Sequence, residues 1–247
     1  MTNRVRLGKN LIFKYGTLKH LEDTILNNSL GFSKVSSLND PFEIAHKFQI
    51  NRKSISEDPI SYKYKKLIES KKEFLNNAQI SCFSRTAFEP LMWSHYSDKH
   101  YGICYCFDEN ELTTFGLCSS FKDIIYSSQL PEIYYEEDKT SDKQIQRELN
   151  RVLMTKSLNW SYEKEFRIIL KKGVENKFKS RSLRAIILGF NAAIYHKERI
   201  LKVIEKANAI RKDDIKVYYA SLSTEKYEIL IENEPNHSLS ENTTIYF

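Results

Sequence analysis

The sequence predicts an α+β fold, in which a mixed or antiparallel β-sheet forms the core and helices flank it. Short apolar stretches outnumber the amphipathic helical ones, and several follow one another with no helix between them. Residues 183–189 are almost continuously apolar, which is typical of a central strand. We find no linker, repeat or low-complexity tract, so one domain over residues 1–247 is the simplest interpretation, with a loose tail from about residue 235.

Four predicted helices carry a starting signal. Thr17 and Ser141 can each accept a backbone N–H of the first turn, and Gln144 completes a capping box with Ser141. Pro59 and Pro90 suit the first helical position, where proline's missing N–H has no cost. The predicted helices are 18–27, 59–76, 90–96, 141–156 and 192–207. The predicted strands are 9–14, 30–33, 78–83, 102–107, two or so between 119 and 135, 163–170, 183–189, 215–220 and 227–231, and a loop is expected at 36–41.

The segment from residue 163 to residue 170 is the strongest candidate for chemistry. Its apolar and charged side chains alternate with the two-residue period of a half-buried strand. The alternation places Glu163 and Glu165 on one face at the strand's entrance, with Arg167 on the same face. Adjacent carboxylates repel, so one titrates high unless a cation lies between them. A solvated strand end with a weak Arg–Glu pair is the structural interpretation, and a sugar-processing site is the functional one.

The composition is that of a globular protein with a mild basic bias. Aromatic residues make up 13% of the chain, and the net charge is +6. The N-terminal residues and residues 171–184 are locally basic, which would help the protein meet phosphate-rich ligands. The four cysteines form no Cys-x-x-Cys pair, and no apolar run is long enough to span a bilayer. We therefore expect a reduced, cytoplasmic protein with no metal and no membrane partner.

Several motifs follow one another along nearly the whole chain. They are KYGT at 14–17, SLNDPFE at 37–43, CFS at 82–84 with LMWSHY at 91–96, and WSYEKEFR at 160–167. In this order they resemble the bacterial family called domain of unknown function 2971. That resemblance implies no function directly.

A second resemblance is to the ADP-ribosyltransferase fold. One variant of that fold has a His-Gly-Thr strand end, a Ser-containing middle strand, and Glu-x-Glu before an apolar strand. The segments 15–17, 81–84 and 163–170 are similar to these three motifs, with Tyr15 in place of the histidine. The resemblance implies a split β-sheet and NAD as a substrate.

The resemblance also implies a role for each site residue. Glu165 would stabilise the oxocarbenium-like ribose, and Glu163 would orient or deprotonate the acceptor. Gly16, which has no side chain, would let the nicotinamide carboxamide approach the backbone closely. A simple turn explains the presence of this glycine equally well. The diphosphate would be held by Arg85, Lys14 or Arg4. The full set is Lys14, Tyr15, Gly16, Thr17, Ser84, Arg85, Trp93 and Tyr96 for NAD, and Asn39, Asp40, Glu43, Trp160 and Arg167 for the substrate.

Two of these assignments have structural alternatives. Trp93 and Tyr96 lie three residues apart and share a helix face, so they could stack on a base. Packing into the core is the better explanation for at least one of them. The turn at 39–43 suits a ribose or acceptor contact and a rigid loop equally.

These observations favour an NAD-dependent ADP-ribosyltransferase that modifies a nucleic acid or a protein. Such an enzyme would act as an intracellular toxin or phage-defence effector, with an antitoxin or chaperone as its partner. The alternative is a non-catalytic module that senses a nucleotide or nucleic acid. A nuclease that uses Glu43, Glu163 and Glu165 is a weaker hypothesis because no spacing here resembles a metal site.

Overall fold

The computed structural model describes residues 10–51, 69, 73–74, 77–114, 116–136, 141–170 and 173–234. Over these residues the chain is α+β, with several helices and mostly antiparallel strands, which confirms the predicted class. The chain divides into two compact units. The first unit takes its described residues from Met1–Gly31, Phe83–Leu117 and Gly173–Phe247, and the second takes its own from Phe32–Cys82 and Cys118–Lys172.

The described elements are numbered in chain order. The strands are β1 Leu11–Gly16, β2 Ser33–Lys34, β3 Lys47–Asn51, β4 Gln79–Ser84, β5 Ile103–Asp108, β6 Cys118–Asp123, β7 Ile125–Ser127, β8 Glu132–Glu136, β9 Thr155–Ser157, β10 Glu165–Leu170, β11 Leu183–Leu188, β12 Lys216–Leu222 and β13 Ile229–Glu232. The helices are α1 Leu21–Ile25, α2 Pro90–Tyr96, α3 Glu109–Thr113, α4 Asp142–Leu153, α5 Phe190–Tyr195 and α6 Lys197–Asn208.

In the first unit, five strands lie in the order β13-β12-β11-β5-β1. Only the β11–β12 pair among them is parallel. Strand β5 is central and apolar, and its residues from Ile103 to Phe107 are all buried. Cys104 and Cys106 are fully buried in this strand, as their shared face predicts. On the other side of β1, Phe13 lies opposite Ser84 at the end of β4.

In the second unit, β10 lies between β4 and β6, and it is antiparallel to β6. Two parallel pairs, β3–β8 and β7–β9, complete the described strands of this unit together with β2, which pairs with β4. Helix α4 turns its apolar stripe into a hydrophobic core that also contains Ile80, Ile133 and Ile169. The stripe consists of Ile145, Leu149, Val152 and Leu153.

The start signals at Pro90 and Ser141 are confirmed, while several predicted ends were wrong. Helix α2 has the predicted bounds, and the Ser141–Gln144 capping box is present. Helix α4 ends at Leu153 and is followed by strand β9, so the predicted helix to residue 156 is too long. The predicted helix 192–207 is two helices, because His196 leaves the helical conformation at φ −128° and ψ 3°.

Other boundaries are corrected in the same way. The predicted helix 18–27 is a 3₁₀ turn followed by the short helix α1. The predicted strand 30–33 is reduced to the two residues of β2, and the region 119–135 holds three strands instead of two or so. The loop predicted at 36–41 begins inside a 3₁₀ turn over Val35–Ser37. Most of the predicted helix 59–76 and the tail from residue 235 lie outside the described residues.

Within the described part of the chain, none of the helices has the length and apolar character needed to cross a membrane.

Candidate functional site

The second unit buries five charged side chains next to one another. They form what we call the charge cluster: Glu43, Lys156, Glu163, Glu165 and Arg167. None is more than 6% exposed. Ionised side chains are costly to bury unless they are paired and hydrogen-bonded, so each contact within this cluster matters to the fold.

Arg167 is the centre of the cluster and is completely buried. Its Nε and Nη2 donate to the two oxygens of Glu165 at 2.8 and 3.0 Å, in the forked geometry that guanidinium and carboxylate groups prefer. Its Nη1 donates to Glu43 and to the Leu153 carbonyl. Arg167 therefore joins the start of β10 to the turn at residue 43 and to the end of helix α4.

Lys156 is the second cation, and it joins the two carboxylates of the predicted motif. Its Nζ donates to Glu163 Oε2 at 2.7 Å and to Glu165 Oε2 at 3.4 Å. The same Nζ lies 4.7 Å from the centre of the Trp160 ring, within the range of a cation–π contact. Sequence reasoning missed Lys156, because residue 156 was predicted as the end of a helix and no local pattern marks it as a site residue.

Glu163 and Glu165 are adjacent, but not because they share a strand. Glu163 ends a 3₁₀ helix over Leu158–Glu163, and Lys164 has left-handed φ and ψ of 45° and 50°. That left-handed residue turns the chain into β10, which begins only at Glu165. The prediction of one continuous strand face was therefore wrong, although a cation does lie between the two carboxylates as that argument required.

The interpretation of this region as a solvated strand end is also wrong. Both Glu163 and Glu165 are 3% exposed, and β10 is buried on both faces instead of one. Burial opposes ionisation of Glu165, yet Arg167 and Lys156 outweigh it and lower the pKa of this carboxyl. Burial alone would lower the pKa of Lys156, but Glu165 and Glu163 raise it above its ordinary value. Both groups are therefore charged at neutral pH.

Glu43 is the least compensated member of the cluster. Burial raises the pKa of its carboxyl even though Arg167 pairs with it. Its Oε2 has no hydrogen-bond partner among the described residues. With three carboxylates and two cations, the fully ionised cluster carries one excess negative charge. Burial of Glu43 therefore favours the protonated form of its carboxyl.

A cavity of about 230 Å³ adjoins the cluster at Lys156. One part of its wall is the turn that follows Pro41, and the other parts come from β9 and from the loop after β7. The lining residues are Phe42, Ala45, Ser127, Ser128, Gln129, Leu130, Pro131, Thr155, Lys156 and Ser157. No three His, Cys, Asp or Glu side chains in the described ranges are grouped as a metal site would require.

The predicted aromatic contacts to NAD belong to the first unit. Tyr15 and Trp93 meet edge to face with ring centres 5.1 Å apart. The Tyr15 hydroxyl donates to the Thr86 carbonyl at 3.0 Å, and Trp93 Nε1 donates to the Ala87 carbonyl at 2.8 Å. Trp93 has no exposed surface, which agrees with packing into the core, while Tyr96 is half-buried. Burial raises the pKa of Tyr15 far above its ordinary value.

The polar residues predicted to hold NAD have structural contacts in the same unit. Lys14 Nζ lies 5.2 Å from the Phe83 ring centre, and Arg85 forms an ion pair with Glu109 at 2.5 Å. Ser84 is buried and accepts the Thr86 N–H, and Thr17 caps the following turn by accepting the Lys19 N–H. Gly16 is the last residue of β1, opposite Ile103, and Arg4 lies outside the described residues.

The structure thus separates the predicted site residues into two groups. Glu43, Trp160, Glu163, Glu165 and Arg167 come together in the second unit around Lys156. Asn39 and Asp40 belong to the same unit, in the turn that carries Glu43. The residues predicted to contact NAD are all in the first unit.

Comparison with known proteins gives one family. The family model described as "Protein of unknown function (DUF2971)" matches residues 92–168. The match confirms the predicted resemblance to this family over part of the chain, including the motif at 160–167. The motifs at 14–17, 37–43 and 82–84 lie outside the matched range. No curated protein and no solved structure matches the sequence.

Proposed function

We propose that the protein is an NAD-dependent ADP-ribosyltransferase with the split-sheet fold of that class, and that its acceptor is a nucleic acid or a protein. The observation that carries the proposal is the Glu165 carboxylate, which is held ionised beside Glu163 in a buried site. Action as a toxin or phage-defence effector, with an antitoxin or chaperone as partner, belongs to the same proposal.

The chemistry requires a carboxylate of this kind. When the bond between nicotinamide and ribose breaks, its electron pair leaves with nicotinamide and the ribose becomes positively charged. A fixed carboxylate that is shielded from water stabilises this charge more strongly than one in water does. Glu163 would then take the proton from the acceptor atom as that atom bonds to the ribose carbon.

Access to Glu165 depends on Lys156. Both carboxylates are buried, and Lys156 is the member of the charge cluster that also lines the cavity. A ribose can therefore reach Glu165 from the cavity only when the Lys156 ammonium leaves its two carboxylates. The four-carbon stem of lysine allows such a movement by rotation of the side chain alone.

The direct test measures nicotinamide released from NAD by the purified protein, alone and with total nucleic acid or cell lysate as the acceptor source. We expect Glu165→Gln to abolish release and transfer of labelled ADP-ribose. Glu165→Gln leaves two carboxylates and two cations in the cluster, and the double variant Glu165→Gln/Lys156→Met returns the cluster to the one excess negative charge of the wild type. Glu198→Gln, at an exposed position in α6, is the matched control and should keep full activity.

Thermal unfolding of each variant separates loss of fold from loss of chemistry. A folded Glu165→Gln or double variant without activity supports the catalytic role, and one with unchanged activity overturns it. Binding of a nucleotide or nucleic acid without nicotinamide release, under every acceptor condition, would instead favour the non-catalytic sensor. The complete pairing of the two buried carboxylates favours that alternative.

A further inference from the structure

The charge cluster is connected to both walls of the 230 Å³ cavity. We propose that this cavity is a binding pocket for a single-ring nitrogen heterocycle without negative charge, and that the charge cluster holds its walls in place. Binding in this pocket does not depend on NAD turnover, because it follows from the shape and chemistry of the second unit alone.

The first wall is the turn from Asp40 to Ala45. Asp40 Oδ1 accepts the Phe42 N–H at 2.9 Å, and the Asp40 carbonyl accepts the Glu43 N–H at 3.1 Å. Arg167 then holds Glu43 from inside the unit. As a result, Phe42 is 60% exposed while the two acids on either side of it are each only 4% exposed. A large apolar ring is thus presented to solvent on a rigid support.

The second wall is formed by β9 and the loop that follows β7. These strands are parallel, with Ser127 opposite Ser157. Lys156 lies between the other two residues of β9 and is fixed by its bonds to Glu163 and Glu165. The Ser127 hydroxyl donates to the Gln129 carbonyl at 2.8 Å and accepts the Gln129 N–H at 3.0 Å, which orders the loop.

The volume limits the size of the ligand. A cavity of about 150 Å³ is known to accept benzene, and pockets for drug-sized molecules have roughly 300–1,000 Å³. At about 230 Å³, this cavity accommodates one substituted ring but not two fused rings with a sugar. A larger ligand would therefore place only one of its rings here.

The chemical groups that line the cavity determine which class of ring it can bind. Phe42 offers a face for stacking, and Ser128, Gln129 and Ser157 offer hydroxyl and amide groups for ring nitrogens and exocyclic amides. In the position that the structure shows, the Lys156 ammonium is paired with two carboxylates and is not available to a carboxylate or phosphate of the ligand. The excess negative charge of the ionised cluster further disfavours an anion.

Ligand-observed NMR titration of the full chain tests this pocket, with nicotinamide and cytosine as probes and benzoate as an anionic ring of similar size. We expect both heterocycles to bind and benzoate to bind at least about tenfold more weakly. Phe42→Ala should weaken the heterocycles by about tenfold or more, which is the usual cost of losing an aromatic stacking partner. Because Phe42 is exposed, this variant should unfold at the temperature of the wild type.

Phe121→Ala is the matched control, since Phe121 is 47% exposed in the same unit but does not line the cavity. The proposal is overturned if neither heterocycle binds, if benzoate binds as tightly, or if Phe42→Ala and Phe121→Ala have the same effect. The titration contains no NAD, so a protein without nicotinamide release can still satisfy it, and an active enzyme can still fail it.

Discussion

The two units differ in the kinds of side chains that they bury. In the first unit the described core is apolar, and Glu232, which accepts a hydrogen bond from Ser221, is its one buried charged residue. The second unit buries Asp40 and the five residues of the charge cluster. The ion pairs of the charge cluster are internal, whereas Lys47–Glu132 in the same unit and Arg181–Glu111 in the first unit are partly exposed.

This difference indicates that the second unit contains the buried charges that are costly to stability. Removing one member of a buried ion pair is strongly destabilising, yet replacing a whole pair by apolar residues is often neutral or favourable. A fold therefore does not need such a cluster in order to be stable. Its presence beside the cavity supports placing the functional site in the second unit.

The largest expected effect comes from Arg167→Met. The substitution leaves Glu43 and Glu165 buried beside Lys156 as the one remaining cation of the cluster, so we expect a loss of about 3–5 kcal/mol in the free energy of unfolding. Arg181→Met, whose side chain is 55% exposed, should cost less than about 1 kcal/mol. Urea unfolding of both variants measures the difference. Equal losses in the free energy of unfolding would mean that burial does not change what these ion pairs contribute to stability.

The matching prediction for the first unit concerns backbone packing. A Cβ on Gly189 would lie 2.3 Å from the His100 carbonyl oxygen and 2.8 Å from that of Gly102. We expect Gly189→Ala to cost about 1–3 kcal/mol, because the backbone must move to accept the methyl group. Gly31→Ala is the control, since its Cβ would have no neighbour within 4 Å. Thermal unfolding that ranks the two variants equally would contradict this account.

The smallest expected effect on stability is that of Glu43→Gln, which tests whether Glu43 is the titrating member of the charge cluster. Unlike Arg167→Met, this change leaves two carboxylates and two cations, so stability should stay within about 1 kcal/mol of the wild type at neutral pH.

The pH dependence of stability follows from the pKa of Glu43, which is raised above its ordinary value of 4.5. The favourable contribution of Glu43 to the free energy of unfolding is therefore full below that value, and it is lost as the pH rises through the raised pKa. The variant should therefore gain stability relative to the wild type as the pH rises from about 4.5 through the raised pKa. Unfolding free energies measured across this range test the sign, and a difference that does not change with pH would remove Glu43 as the titrating member.

Sequence reasoning was most successful where a signal is local. Pro90 marks the start of α2, and Ser141 with Gln144 marks that of α4, because capping uses residues within one turn. It failed at helix ends and at Lys164, where a left-handed backbone interrupts the apparent alternation. A non-glycine residue takes that conformation only when its surroundings favour it, and no sequence period records this.

The sequence by itself determined the α+β class, the main strands and helices, and the prediction that Glu163, Glu165 and Arg167 belong to one site. Only the tertiary structure decided that these charges are buried, that Lys156 lies between the carboxylates, and that Glu43 contacts Arg167 from 124 residues away. The physical reason is that helix and strand patterns arise from neighbouring residues. The environment of a charge is set by whichever distant segments exclude water from it.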